Sequence, residues 1–200
     1  MMSGPKYARV LLSRLSALAV FVVALWVIQV VNWAVGYRLN FTFGLIPRQL
    51  AGLDGIVGMP ILHSSFPHLI SNTPPLLVMG SLLAATATRA LLAVNGVIVV
   101  LGGALVWLIG SSAIHIGASG LVFGWLGFLV ARGLVDRSPV TLAASLLVGL
   151  FYGSIIWGVL PGQPGVSWEA HLFGALAGVT AAFLIRTHVH APRMRDVDLE

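Results

Sequence analysis

The chain has 200 residues, of which 58% are hydrophobic and 8% charged, and its mean hydropathy is +0.98. A soluble domain carries roughly 45–50% apolar and about 25% charged residues, so this composition excludes a water-solvated globule and makes lipid the solvent for most of the surface. The absence of cysteine excludes disulfides, thiolate catalysis and cysteine-ligated metals, while the net charge of +5 sits at the ends of apolar runs, as a membrane topology signal does and a nucleic-acid patch does not.

Lys6, Arg9 and Arg14 precede an apolar run from Leu15 to about Trp33, close to the ~20 residues a spanning helix needs. The run exceeds the ~7–15 residues of a signal-peptide core and no small-x-small site follows it, so it reads as a retained first span. From Gly36 to Phe66 the chain is broken by Gly44, Pro47, Gly52, Gly55, Gly58 and Pro60, with Phe41, Phe43, Leu50 and Val57 between them. That pattern predicts a loop lying partly in the membrane interface. The second span runs from Pro67 to about Thr86, with a kink expected at Pro74-Pro75. The third is Ala90 to Ile109, the fourth Gly117 to Ala131, the fifth about Val140 to Leu160 and the sixth about Ala170 to Ile185. The expected organisation is a cytoplasmic N-terminal segment at 1–14, a membrane domain at 15–186 and a short polar cytoplasmic tail at 187–200.

Six spans put both termini on one side. Nine of the 11 Lys and Arg lie at the termini or in the second and fourth loops (Lys6, Arg9, Arg14, Arg89, Arg132, Arg137, Arg186, Arg193 and Arg195), and only Arg38 and Arg48 lie in the first. The termini are therefore expected in the cytoplasm of a multi-pass cell-membrane protein. The second, fourth and sixth spans then all start near the outer face, which brings His68 and Asn72, Ser119, and His171 to one depth. Polar groups inside apolar helices are costly unless paired, so this layer points to a polar site. His68 and Asn72 are four residues apart and share a helical face, as do His171, Gly174 and Gly178, and Gly120, Gly124 and Gly127 form a matching strip on the fourth span. Such strips allow close helix approach, and from them a Ser119–His171 dyad is inferred, with His171 as the base for the Ser119 hydroxyl.

These residues resemble the rhomboid family of intramembrane serine proteases. The matching pieces are His63-Ser-Ser-Phe-Pro-His68-Leu-Ile-Ser-Asn72, Gly117-Ala-Ser119-Gly120, and Ala170-His171-Leu-Phe-Gly174 with Gly178, while Ile46-Pro-Arg48 and Gly52-Leu-Asp-Gly55 look like the family's first loop. The resemblance implies an all-α integral membrane protein, a six-span rhomboid-like helix bundle, with Ser119 as nucleophile and His171 as base. His68, Asn72 and the Ser119 amide would surround an oxyanion, His63 would support the mouth of the site, and Gly117, Gly120 and Gly174 would be supporting positions. It implies cleavage of transmembrane protein substrates in a lipid bilayer, with no cofactor, no metal and no nucleic-acid partner. The Trp-Arg pair often found in the family's first loop is missing. Glu169, two residues before His171, would project about 200° away on a helix, so no carboxylate is expected to orient the base.

Taken alone, Ser119 reads as a packing residue and His171 as a helix-end histidine at headgroup level; together they favour the dyad. His115 reads as a solvated loop residue or, alternatively, as one that lines the water entrance, and the His188-x-His190 pair on the tail as incidental. The fifth span, with Gly149 and Gly153 on one face, is a candidate movable wall for lateral substrate entry. The rival readings are a catalytically silent rhomboid-like protein that binds transmembrane helices, and a histidine-ligated haem or metal membrane protein. A transporter would require an internal inverted repeat, and the sequence contains none that is recognisable.

Overall fold

The computed structural model describes residues 4–87 and 90–185; Arg89 and the tail, with His188 and His190, lie outside them. The regular elements among the described residues are all helical, apart from a single antiparallel bridge between Leu45 and His115. In chain order the helices are α1 (Gly4–Ala34), α2 (Arg38–Phe43), α3 (Gly55–Gly58), α4 (Phe66–Thr86), α5 (Leu91–Val97), α6 (Gly103–Ile109), α7 (Ser119–Asp136), α8 (Pro139–Tyr152) and α9 (Trp168–Leu184). A π-helical stretch, Ile98–Gly102, joins α5 to α6, and a 3-10 stretch, Gly153–Val159, continues α8. Among the described residues five helical segments are long and apolar enough to cross a membrane, and α9 is a shorter apolar helix of 17 residues.

Burial orders these helices around α7. Two thirds (67%) of its apolar window is buried inside the protein, against 11% for α1 and for the α8 segment. The core is built from Leu25 of α1, Leu69, Leu76, Met79 and Leu83 of α4, Val94 of α5, and Trp125 and Phe128 of α7. The outer faces carry the exposed Val20, Val23 and Val27 of α1 and Leu146, Leu150 and Phe151 of α8. Lipid replaces water as their solvent, so this exposure carries no hydrophobic penalty.

The glycine strips set how closely α7 and α9 approach. A Cβ on Gly174 would overlap the Gly120 carbonyl, one on Gly178 the Gly124 carbonyl, and one on Gly127 the Ala175 carbonyl. Gly178→Ala is therefore expected to destabilise the bundle by about 3 kcal/mol or more, since backbone rather than a flexible side chain must yield. Gly96→Ala, where a Cβ meets nothing within 4 Å, is the matched control and should be neutral or slightly stabilising. Thermal unfolding of the purified variants in detergent checks both.

The first helix begins at Gly4, well before Leu15. Helix α4 continues through Pro74-Pro75, both of which lie inside it. The fifth span falls where expected, at Pro139–Val159, and the chain tightens to 3-10 geometry from Gly153, where glycine weakens α-helical propagation.

The first loop folds over the end of the bundle where α4, α7 and α9 begin and is anchored without a local Trp-Arg pair. Arg48 adopts a left-handed backbone (φ 59°) and donates from its guanidinium to the Gly110 carbonyl at 2.7 Å and to Ser112 Oγ at 3.1 Å. Its amide donates to the Trp107 carbonyl at 2.9 Å, and the Trp107 indole returns a bond to the Gln49 carbonyl at 2.9 Å. A cation on the free carbonyls at the end of α6 is also favoured by the helix dipole.

Candidate active site

Ser119 opens α7, and the chain reaches it through Gly117, whose φ of +124° is a conformation open to glycine. The Gly117 N–H is held by the Met59 carbonyl at 2.8 Å, which ties this turn to the first loop. The missing side chain also matters. A Cβ on Gly117 would lie 2.8 Å from His68 Nε2 and 3.6 Å from Ser119 Oγ, so glycine leaves an atom-sized space between an imidazole nitrogen and a hydroxyl.

His171 lies in the first turn of α9, directly across the glycine contact. Its Nε2 is 2.8 Å from Ser119 Oγ, and its Nδ1 is 2.8 Å from the Gly158 carbonyl. A carbonyl only accepts, so Nδ1 carries the proton and Nε2 is left as the acceptor for the serine O–H. Phe123 lies flat on the imidazole, with centroids 4.1 Å apart and planes at 6°. Gly158 must be a glycine for this contact, because a Cβ there would sit 3.0 Å from both His171 Nδ1 and the Phe123 ring.

The N-terminus of α4 brings the other imidazole. Ser65 caps the helix by accepting the His68 N–H at 3.2 Å, and Ser64 Oγ is 3.1 Å from His68 Nδ1. Asn72 is buried and lines the same cavity, with its Nδ2 donating to the His68 carbonyl at 3.2 Å. The cavity holds about 890 Å³ and is bordered by His68, Asn72, Ser119, Phe123, Trp168 and His171 among others.

Two histidines are not where the sequence suggested. His63 is not at the mouth: it is fully buried behind the Ser119 turn, with Nε2 accepting the Ala118 N–H at 3.3 Å and its ring edge-on to His68 at 5.1 Å. Its carbonyl accepts from Asn40, which in turn accepts from Asn32 of α1 at 2.8 Å, so His63 is a tie between the first loop and α7. His115 is not solvated. It is 2% exposed, and its ring bridges the Ser111 carbonyl at 3.1 Å and Ser167 Oγ, the N-cap of α9. Glu169 points away from His171, as its spacing predicts, and accepts the Ser111 N–H at 3.1 Å.

The Rhomboid domain family matches residues 50–188. The chain belongs to the rhomboid family. It is similar to the uncharacterized protein Rv1337 of Mycobacterium tuberculosis strain H37Rv, at 40% identity over 174 residues that cover 82% of this chain and 72% of the relative. An uncharacterized protein of Mycobacterium leprae strain TN, ML1171, is 35% identical over 174 residues, covering 82% and 68%.

In this rhomboid the sequence did not point to Phe123 or Gly158. Phe123 was accessible, since it lies four residues after Ser119 and so on the same helical face. Gly158 contributes through its carbonyl, and a carbonyl leaves no mark on residue identity.

Burial, with His68 close by, lowers the pKa of His63 from its ordinary 6.5 to about 4. The unfolded chain therefore binds this proton first, and the stability His63 contributes is present above pH 6.5 and lost as pH falls through about 4. The loss amounts to about 3 kcal/mol at ~1.36 kcal/mol per pKa unit. Unfolding midpoints measured between pH 7 and pH 4 should fall in the native rhomboid and fall less in His63→Asn.

Proposed function

We propose that this rhomboid is an intramembrane serine endopeptidase that cleaves transmembrane helices of other membrane proteins through a Ser119–His171 dyad. The observation that carries the reading is the 2.8 Å approach of His171 Nε2 to Ser119 Oγ, with the opposite nitrogen held by the Gly158 carbonyl at 2.8 Å. Nucleophile, base and orienting group are within hydrogen-bond reach in series, the arrangement that activates an otherwise weak serine nucleophile.

In the proposed reaction Ser119 Oγ bonds to the scissile carbonyl carbon while its proton passes to His171 Nε2. The C=O electron pair moves onto oxygen, which develops its charge in the space left by Gly117. His68 Nε2–H, the Ser119 amide and the second Nδ2 hydrogen of Asn72 are the proposed donors there. The C–N bond then breaks, and the imidazolium returns its proton to the leaving amine. Water from the cavity attacks the acyl-serine ester with His171 again as base, releasing the carboxylic acid and restoring the serine hydroxyl. The Gly158 carbonyl and the face of Phe123 supply the electrostatic support for the imidazolium that a carboxylate supplies in a triad.

The topology that goes with this reading is six spans, α9 being the sixth, with cytoplasmic termini and the site toward the outer face. For lateral entry, an apolar groove lies between α4 and α8, lined by Leu77, Val78, Leu147 and Phe151, and Gly149 and Gly153 face open space. A cysteine pair placed across this groove and joined by a thiol cross-linker, in a chain with no other cysteine, should suppress cleavage of a transmembrane substrate. Cleavage at the uncross-linked rate would remove α8 as the entry wall.

A fluorophosphonate probe tests the chemistry without a known substrate. Labelling on the peptide containing Ser119, absent in His171→Ala, is the expected result. Folded protein that stays unlabelled yet retains transmembrane peptides would replace the protease with the silent helix-binding reading.

A further inference from the structure

On the face of the bundle away from the α4–α8 groove, a second groove of about 370 Å³ lies between α1, α4 and α5, with α7 as its floor. Its walls include Leu18 and Phe21 of α1, Leu83 of α4, Leu91 of α5, Val99 of the π-helical stretch, and Trp125 of α7. The polar atoms within reach of the floor are already used: the Trp125 indole donates to Asn95 Oδ1 at 2.7 Å, and Asn95 Nδ2 donates to the Leu91 carbonyl at 2.9 Å. The floor of the groove therefore offers an occupant hydrocarbon contact and no hydrogen bonds. Ala17, Gly80 and Ala84 give it depth.

One end of this groove carries a charge. Arg14 lines it, half-buried, one turn below Leu18 on the same face of α1. Among the described residues Arg14 has no hydrogen bond or ion pair, and no carboxylate lines the groove. From Arg14 to Phe21 the α1 wall rises about 10 Å, and Arg14 stands about 30 Å before the end of the helix at Ala34, near the hydrocarbon boundary on the N-terminal side. A guanidinium near the end of a spanning segment reaches the headgroup level, and its planar fork fits phosphate oxygens.

We propose that this groove is a binding site for an anionic phospholipid, with one acyl chain along the Leu18, Phe21 and Trp125 walls and the phosphate on Arg14. Charge complementarity selects this occupant over a partner helix, because among the described residues the unsatisfied group in the groove is a cation placed at the level of lipid phosphates. The far wall includes Pro60 and Ile61, next to Met59, whose carbonyl holds the Gly117 N–H. An acyl chain seated there braces the loop segment that supports the Ser119 turn.

Native mass spectrometry of the full chain, released from detergent with equimolar phosphatidylglycerol and phosphatidylcholine of matched chains, tests this. The native protein should retain one phosphatidylglycerol in preference to phosphatidylcholine. Arg14→Gln should lose that preference by about tenfold, while Arg9→Gln, exposed on the same helix, should keep it. Ala17→Phe, which fills the groove from an exposed α1 position, should lose retention of both lipids while keeping the native unfolding midpoint. Equal headgroup preference in Arg14→Gln and native protein, or undiminished retention in folded Ala17→Phe, would overturn the assignment.

Discussion

Ser119→Ala and His171→Ala are each expected to reduce cleavage of a transmembrane reporter by a factor on the order of 10⁴ or more, and the double variant by no more than either alone. Residues that act as one unit in acyl transfer are non-additive, because removing either member already removes the activated nucleophile. The geometry makes the same point: Ser119 Oγ lies 2.8 Å from Nε2 of His171, the proposed base. Both side chains are small or tucked against α7, so neither substitution opens a large cavity. Unfolding midpoints should stay near native, which separates loss of chemistry from loss of fold. Steady-state cleavage rates in proteoliposomes, with circular dichroism on the same samples, make the measurement.

Gly158→Ala is expected to lower kcat by about a hundredfold with KM nearly unchanged. The added Cβ would lie 3.0 Å from His171 Nδ1 and from the Phe123 ring, so the imidazole or the 3-10 stretch must shift. A displacement of about 1 Å in a reacting group costs on the order of 10² in rate. The 3-10 stretch contains no buried residue, so the fold tolerates the shift while the base does not. The fluorophosphonate labelling rate should fall in parallel with kcat, because the probe needs the dyad and not the substrate groove. A change confined to KM would mean that Gly158 acts on substrate entry and not on His171.

The helices were legible because apolar runs in lipid-solvated chains follow bilayer thickness, and the α7–α9 contact was legible because glycines spaced by three and four leave few alternatives to close helix approach. The Ser119–His171 pair followed from depth, since two helices starting on the same side put their first turns at one level. Depth does not give radial position. That is why His63 was expected at the mouth and lies behind the Ser119 turn, and why His115 was expected in solvent and caps α9 through Ser167. The least legible contacts run through backbone atoms. Gly158 orients His171, Gly110 receives Arg48, and Met59 holds Gly117, each by a carbonyl whose position depends on the folded loop and not on the residue that bears it. The missing local Trp-Arg pair fits this pattern, because Arg48 and Trp107 do the anchoring from separate segments.

The most direct measurement is cleavage of a transmembrane reporter by the purified protein reconstituted in proteoliposomes, with the product termini identified by mass spectrometry. The account predicts a cut within or beside the reporter helix by the native protein and no product from Ser119→Ala. Cleavage that persists in Ser119→Ala, or folded native protein that neither cuts the reporter nor takes a fluorophosphonate label, would contradict it.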